Sequence, residues 1–217
     1  MMIKRDPQLP AQIKLGVTAL TFKNQFKTDL WTTAIQPLLT EIEQQDDLVT
    51  IRENPRIQAT KQAYKALGKD PARFRPSSDS LWRRVAKGKG LYQVNPLVDL
   101  NNYLSLQFKV PLGSYDQVAL QPPVQLTKGA PGTTYPGIGK SAINLDHLLV
   151  LADAQGAFGS PTADSIRAMI TAQTTTAMIV VYGFGLTTAE LQQCQQTVAT
   201  TVTTYLEAAM VNAQFSV

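Results

Sequence analysis

Pro111 divides the chain into two textures, and that division limits what it can fold into. Before it, apolar residues recur at three- and four-residue steps between capping and breaking signals. After it, short apolar runs alternate with clusters of Gly and Pro, and a helical pattern returns at the end. Helices first, strands second and a closing helix predict an α+β fold. No internal repeat or linker-like stretch interrupts the 217 residues, so one domain over residues 1–217 is expected. At 44% apolar and 17% charged residues, the chain can bury a sizeable core.

Residues 13–22, IKLGVTALTF, alternate as a first strand should. A helix is predicted over about Thr28–Gln45, with Leu30, Ala34, Leu38 and Ile42 on one face and a break or kink at Pro37. A second helix spans about Pro55–Leu67 and ends at Gly68, a left-handed cap. KDPARFRPSS is a loop, after which Ser77 or Ser78 caps a third helix that ends at Gly88. A fourth covers about Pro96–Gln107, with proline in its first turn. QVAL (117–120), VQLT (124–127), HLLVLAD (147–153) and AMIVVYGF (177–184) have the length and composition of strands. The last helix is expected over about Thr188–Ala213. Leu191, Cys194, Val198, Val202, Tyr205 and Ala209 would lie along one face, with Thr187 and Glu190 as a capping box.

Several kinds of chemistry are disfavoured. Cys194 is the single cysteine, so no internal disulfide can form and a reducing compartment is expected. No run approaches the ~20 apolar residues of a membrane span, and MMIKRDPQLP lacks the apolar core of a signal peptide. A cytoplasmic protein with no membrane partner is expected. His147 is the single histidine and falls in an apolar run, where a half-buried strand residue is the simplest reading. With no second histidine or cysteine beside it, no metal and no cofactor are expected. GIGKS (137–141) resembles the end of a phosphate-binding loop, but Thr134 stands where that loop needs its first glycine. An apolar strand, not a helix, soon follows, and the motif is read as a decoy.

Charge is unevenly placed. Residues 52–89 carry eleven Lys or Arg against three acids, whereas from residue 90 onward there are four basic and seven acidic residues. Such a zone is either a polyanion-binding surface or a pair of solvated helix faces. Next to it, residues 95–107 form an amphipathic helix of an unusual kind. Leu97, Leu100, Tyr103, Leu104 and Gln107 share one arc, and Asn95, Asp99, Asn101, Asn102 and Ser105 the other. Short amides and hydroxyls make directional hydrogen bonds and lower helix propensity, so this face suits a polar partner: a neighbouring loop or a ligand.

VDLNNYLSLQFKVPLGSYD (98–116) resembles the motif of the tRNA-binding, editing domain of phenylalanyl-tRNA synthetase β chains, known as the B3/B4 domain. There a Val-Asp…Thr-Asn-Tyr helix leads into Gly-Gln-Pro-(Leu/Met)-His-Ala-Phe-Asp. The whole chain is closer to stand-alone relatives of that domain, through YKALGKDPARFRPSSDSLWRRVAKGKGL, VNPLVDLNNYLSL, LADAQGAFGSPTADS and TTTAMIVVYG. The resemblance covers about residues 55–185, with the N-terminal strand and helix and the C-terminal helix packed on that core.

The resemblance implies a barrel-like mixed β core with flanking helices. It also implies a pocket between the asparagine helix, the proline turn and the strands that follow. Asn102 takes the place of the motif asparagine, Asn101 replaces the threonine, and Pro111 and Asp116 match. Gly113 stands at the pocket histidine and Val180 at the pocket glutamate, which would leave a more open, more apolar pocket without the partners that tyrosine-specific editing needs. The implied substrate-binding set is Asn95, Asn101, Asn102, Ser105, Pro111, Gly113 and Val180. Arg73, Arg75, Arg83, Arg84, Lys87 and Lys89 would hold RNA phosphates. The implied function is binding of tRNA or aminoacyl-tRNA, not DNA, with deacylation in trans as the candidate activity and no catalytic residue evident. The alternative is a non-catalytic binding protein for a free amino acid or small metabolite.

Overall fold

The computed structural model describes residues 2–139 and 142–217. In chain order the strands are β1 (Ile3–Arg5), β2 (Ile13–Phe26), β3 (Leu112–Asp116), β4 (Val124–Lys128), β5 (Thr134–Pro136), β6 (Ala142–Asn144), β7 (Leu149–Asp153), β8 (Gly156–Gly159), β9 (Thr176–Phe184) and β10 (Leu206–Ser216). The helices are α1 (Gln36–Gln45), α2 (Leu48–Glu53), α3 (Pro55–Leu67), α4 (Ser77–Val85), α5 (Pro96–Phe108) and α6 (Thr188–Tyr205).

Two four-stranded sheets pack through a common core, one ordered β1-β4-β7-β8 and the other β10-β2-β9-β3, with β5-β6 as a separate ribbon. Neither sheet closes, so the β core is an open two-sheet sandwich and not a barrel. The period-2 pattern of β9 sets the layers: Met178, Val180 and Tyr182 face the other sheet, while Ile179 and Val181 face α5 and α6. A smaller cluster of Ile42, Ile51, Ile57, Trp82, Val85 and Leu106 ties the first five helices together. The result is one α+β domain, as the two textures implied. No helix of the described residues is long and apolar enough to cross a membrane.

Pro37 acts where expected. The chain enters α1 through a π-helical turn, Trp31–Ile35, in which Gln36 N–H reaches back to the Trp31 carbonyl. A proline at the start of α1 lacks the N–H that a continuous α-helix would use there. α3 ends at Gly68 with φ 89°, the left-handed cap read from the sequence. Thr187 and Glu190 form the reciprocal capping box at α6.

Five expectations are corrected. QVAL is not a strand: Asp116 accepts from Val118 N–H and folds residues 117–119 into a short 3-10 turn. The last helix stops at Tyr205, and residues 206–216 form β10, paired from Leu206↔Phe26 to Ser216↔Gly16. A threonine-rich helix end is poorly held by propensity, and the free edge of β2 offers a full backbone ladder instead. α4 is capped by neither Ser77 nor Ser78. Pro76 is its N-cap, no side chain closes the turn, and both serine hydroxyls are buried without a partner among the described residues. The same helix ends at Val85, with Gly88 in the turn beyond it. His147 is no strand residue: it sits in the turn before β7 at φ 58°, half exposed beside Asp146. The segment of GIGKS holding Lys140 and Ser141 lies outside the described residues, and the strand β6 follows it.

Candidate functional site

The polar arc of α5 is built largely into the protein. Asn95 is the helix N-cap: its Oδ1 accepts from Val98 N–H at 3.1 Å and from Asn24 Nδ2 at 3.2 Å, and its Nδ2 donates to the Ile170 carbonyl at 3.3 Å. Buried Asp99 accepts from Val94 N–H at 2.8 Å and from the Trp31 indole N–H at 2.8 Å. Ser105, fully buried, donates to the Val110 carbonyl at 2.8 Å and so braces the turn at Pro111. Pro111 in turn gives its carbonyl to Tyr182 N–H. Asn101 is buried with an Oδ1 that has no partner among the described residues. Asn102 is half-buried, and its side chain bonds to none of the described residues.

Gly113 and Val180 are direct partners across β3 and β9. They do not leave an open pocket. Val180 is fully buried between the sheets, and the space a Gly113 side chain would occupy is taken by the Tyr115 phenol. A Cβ on Gly159 would strike the other edge of the same ring. Tyr115 donates to Asp164 Oδ1 at 2.7 Å and lies 2.7 Å from the Tyr182 hydroxyl. Ser160 N–H also reaches Asp164 at 3.2 Å. Burial pushes the Asp164 carboxyl up to about 7, against the downward pull of those two hydrogen bonds. Burial likewise raises the phenols of Tyr115 and Tyr182 well above their ordinary value. This buried group can hold a proton near neutral pH. Tyr115, Tyr182 and Asp164 were missed in the sequence because their three segments converge only in the fold.

The basic zone resolves into two parts. In the first, Arg52, Lys61, Lys65, Arg75 and Arg83 line a groove of about 420 Å³ together with Asp70 and buried Asp79. Asp79 accepts from Arg83 Nε at 2.5 Å, with Lys61 at 3.6 Å and Arg75 at 3.8 Å. One buried carboxylate thus gathers three cations, and the lining keeps an excess of positive charge. In the second, Arg84 stacks on the Tyr92 ring at 3.9 Å, and Lys87 and Lys89 are exposed in the turn that follows α4. Arg73 lies apart, 5.5 Å from the Phe74 ring. Arg52, Lys61 and Lys65 join the groove, although nothing in their local sequence singles them out within the zone.

A larger cleft of about 630 Å³ lies across β4, β7 and β8 under the β5-β6 ribbon. Val150, Ala152 and Ala157 form an apolar floor, with Thr127, Ser165 and Arg167 among its polar groups. Arg167 is held there by Asp153 at 2.9 Å. A third cleft, of about 530 Å³, is lined by Phe26, Trp31, Gln36, Gln93 and Asn95. Of the substrate-binding residues expected from the sequence, Asn95 reaches a cleft, while Asn101, Asn102, Ser105, Pro111, Gly113 and Val180 line none of these three. Among the described residues, no group of three His, Cys, Asp or Glu side chains is placed to hold a metal ion.

The family model described as the B3/4 domain matches residues 59–214, which reaches past residue 185 through α6 into β10. Among solved structures, an N-terminal fragment of the phenylalanyl-tRNA synthetase β-subunit from Pyrococcus horikoshii is similar, with a TM-score of 0.52 at 12% identity. The match covers 99% of this chain and 53% of that one, so this chain spans about half the length of the fragment, and the likeness is one of fold. No curated protein matches the chain significantly.

Proposed function

Because the chain belongs to the B3/4 domain family, we propose that it is a cytoplasmic tRNA-binding protein that grips the RNA backbone in the basic groove beside α4. The observation that carries this is the groove itself: five cations converge on it against two acids, and one of those acids is buried beneath them. Anchoring by Asp79 fixes Arg83 in place, so less side-chain freedom is lost when a phosphate docks. Arg84, Lys87 and Lys89, at and beyond the C-terminal end of α4, would extend the contact, with Arg73 as a flanking charge.

The 630 Å³ cleft would receive the aminoacyl end, with Thr127, Ser165 and Arg167 supplying hydrogen bonds above the apolar floor. Hydrolysis of the ester would then rest on a positioned water, since no nucleophile–base pair among the described residues lines the cleft. A second reading, capture of a free amino acid or small metabolite, draws on the same cleft. Binding of uncharged tRNA, aminoacyl-tRNA and free amino acids, measured in parallel at several salt concentrations, separates them. Salt-sensitive binding of tRNA, weakened by Arg52→Glu with Lys65→Glu, supports the first. Release of the amino acid from a charged tRNA adds the deacylase activity. Binding of free amino acid alone, unaffected by those reversals, overturns the tRNA reading.

A further inference from the structure

The cleft lined by Phe26, Trp31, Gln36 and Gln93 differs in chemistry from the basic groove. Two of its walls are aromatic, Phe26 and Trp31, and Pro96 adds a third apolar surface. Trp31 begins the π-helical turn, a distortion that often accompanies a functional site. Its indole is half-buried and pinned at one edge, because Nε1 donates to buried Asp99 at 2.8 Å. The other Asp99 oxygen holds Val94 N–H at 2.8 Å, which fixes the chain that carries Gln93 and Asn95. A single buried carboxylate therefore orients both the ring and the polar rim.

The polar groups divide into engaged and open ones. Asp29 accepts from Trp31 N–H, Thr32 N–H and the Thr32 hydroxyl, and so is used in shaping the turn. Gln36 and Gln93 are exposed, and their amides bond to none of the described residues. Each offers a donor and an acceptor side by side, which is the pattern of a base edge. Two carboxylates in the lining disfavour a phosphate in the cleft itself. The cation is instead next door: Tyr92, adjacent to Gln93, is 66% exposed and carries the Arg84 guanidinium at 3.9 Å.

We propose that this cleft is a nucleobase site, in which an unpaired base of single-stranded RNA stacks on Trp31 and bonds Gln36 and Gln93 while its phosphate lies toward Arg84. The proposal deepens the tRNA-binding reading, since it adds base stacking to backbone contact. Aromatic platforms of this kind take bases with little sequence preference.

The test uses tryptophan fluorescence of the full chain. Trp82 is 2% exposed, so quenching reports on Trp31. Adenosine and a short single-stranded oligoribonucleotide are titrated into the protein, with an abasic oligomer of the same length as control. Saturable quenching by both base-bearing ligands and none by the abasic oligomer is expected. Gln36→Ala with Gln93→Ala, both exposed positions that leave folding intact, should weaken it, and Trp31→Leu should lower oligomer affinity by about 5- to 100-fold. Equal binding of the abasic oligomer, equal quenching by free phenylalanine, or undiminished affinity in Trp31→Leu overturns the proposal. The double reversal Arg52→Glu, Lys65→Glu should leave adenosine quenching unchanged while tRNA binding falls. Failure of the base site with intact tRNA binding, and failure of tRNA binding with intact quenching, are thus distinct results.

Discussion

The phenol of Tyr115 occupies the space that a side chain on Gly113 would need, and Gly159 makes room for its opposite edge. The glycine at the expected pocket histidine is therefore a packing requirement of this protein. Gly113→Ala should destabilise by about 1–3 kcal/mol through overpacking. Tyr115→Phe removes the atom nearest to the new methyl but leaves Asp164 and Tyr182 without their shared hydroxyl. The double variant should cost less than the sum of the two single ones in urea denaturation. Strict additivity would mean that the ring does not fill that space.

Asp164 gives stability a pH dependence of unusual sign for a carboxylate. Its folded-state value of about 7 lies above the ordinary 3.8, so the folded state binds the proton more tightly than the unfolded one. Its contribution is then fully present below about pH 4, declines as pH rises from about 4 to about 7, and is level above that. A loss of a few kcal/mol over that window follows from the size of the shift. Urea midpoints at pH 5 and pH 8 should differ in wild type, and Asp164→Asn should flatten the difference. A slope that survives the substitution would assign it to another group.

Arg83 and Arg84 are neighbours in sequence with different tasks. Arg83→Ala leaves Asp79 buried with only the longer contacts from Lys61 and Arg75, and should cost about 1–3 kcal/mol. Arg84→Ala loses a stack on an exposed ring and should cost less than about 1 kcal/mol. For this reason reversals at Arg52 and Lys65, which do not pair with Asp79, are the cleaner probes of RNA binding. Equal losses at the two arginines in thermal denaturation would contradict the division.

On α5 the same measurement separates architecture from surface. Ser105→Ala strands the Val110 carbonyl at the Pro111 turn and should cost about 1–3 kcal/mol. Asn102→Ala, at a half-buried site with no partner among the described residues, should stay within about 0.5 kcal/mol. A large loss at Asn102 would show that it braces the turn as Ser105 does.

What could be seen in the sequence follows from the range of the forces involved. Caps and breaks act within a few residues, so Gly68, Pro37 and the Thr187–Glu190 box were legible. The polar arc of α5 was legible as an anomaly, but its cause was not. Asp99 turns toward Trp31 from 68 residues away, and nothing local marks that partner. The apolar spacing after Leu191 fits a helix as far as Ala209, and only the open edge of β2 decides against it beyond Tyr205. Likewise the charge run announced a basic surface without showing that Asp79 would split it into a groove and a stack.

β2 lies between β9 and β10, and Gly16 pairs with Ser216. Pairings across nearly the whole chain carry a large loop-closure cost, which slows folding relative to a protein of local contacts. During synthesis β2 must wait for β9 and then for β10, with an unpaired strand edge open to other chains until both arrive. The second sheet is therefore completed only when β10, the strand of that sheet most distant from β2 in sequence, pairs with it.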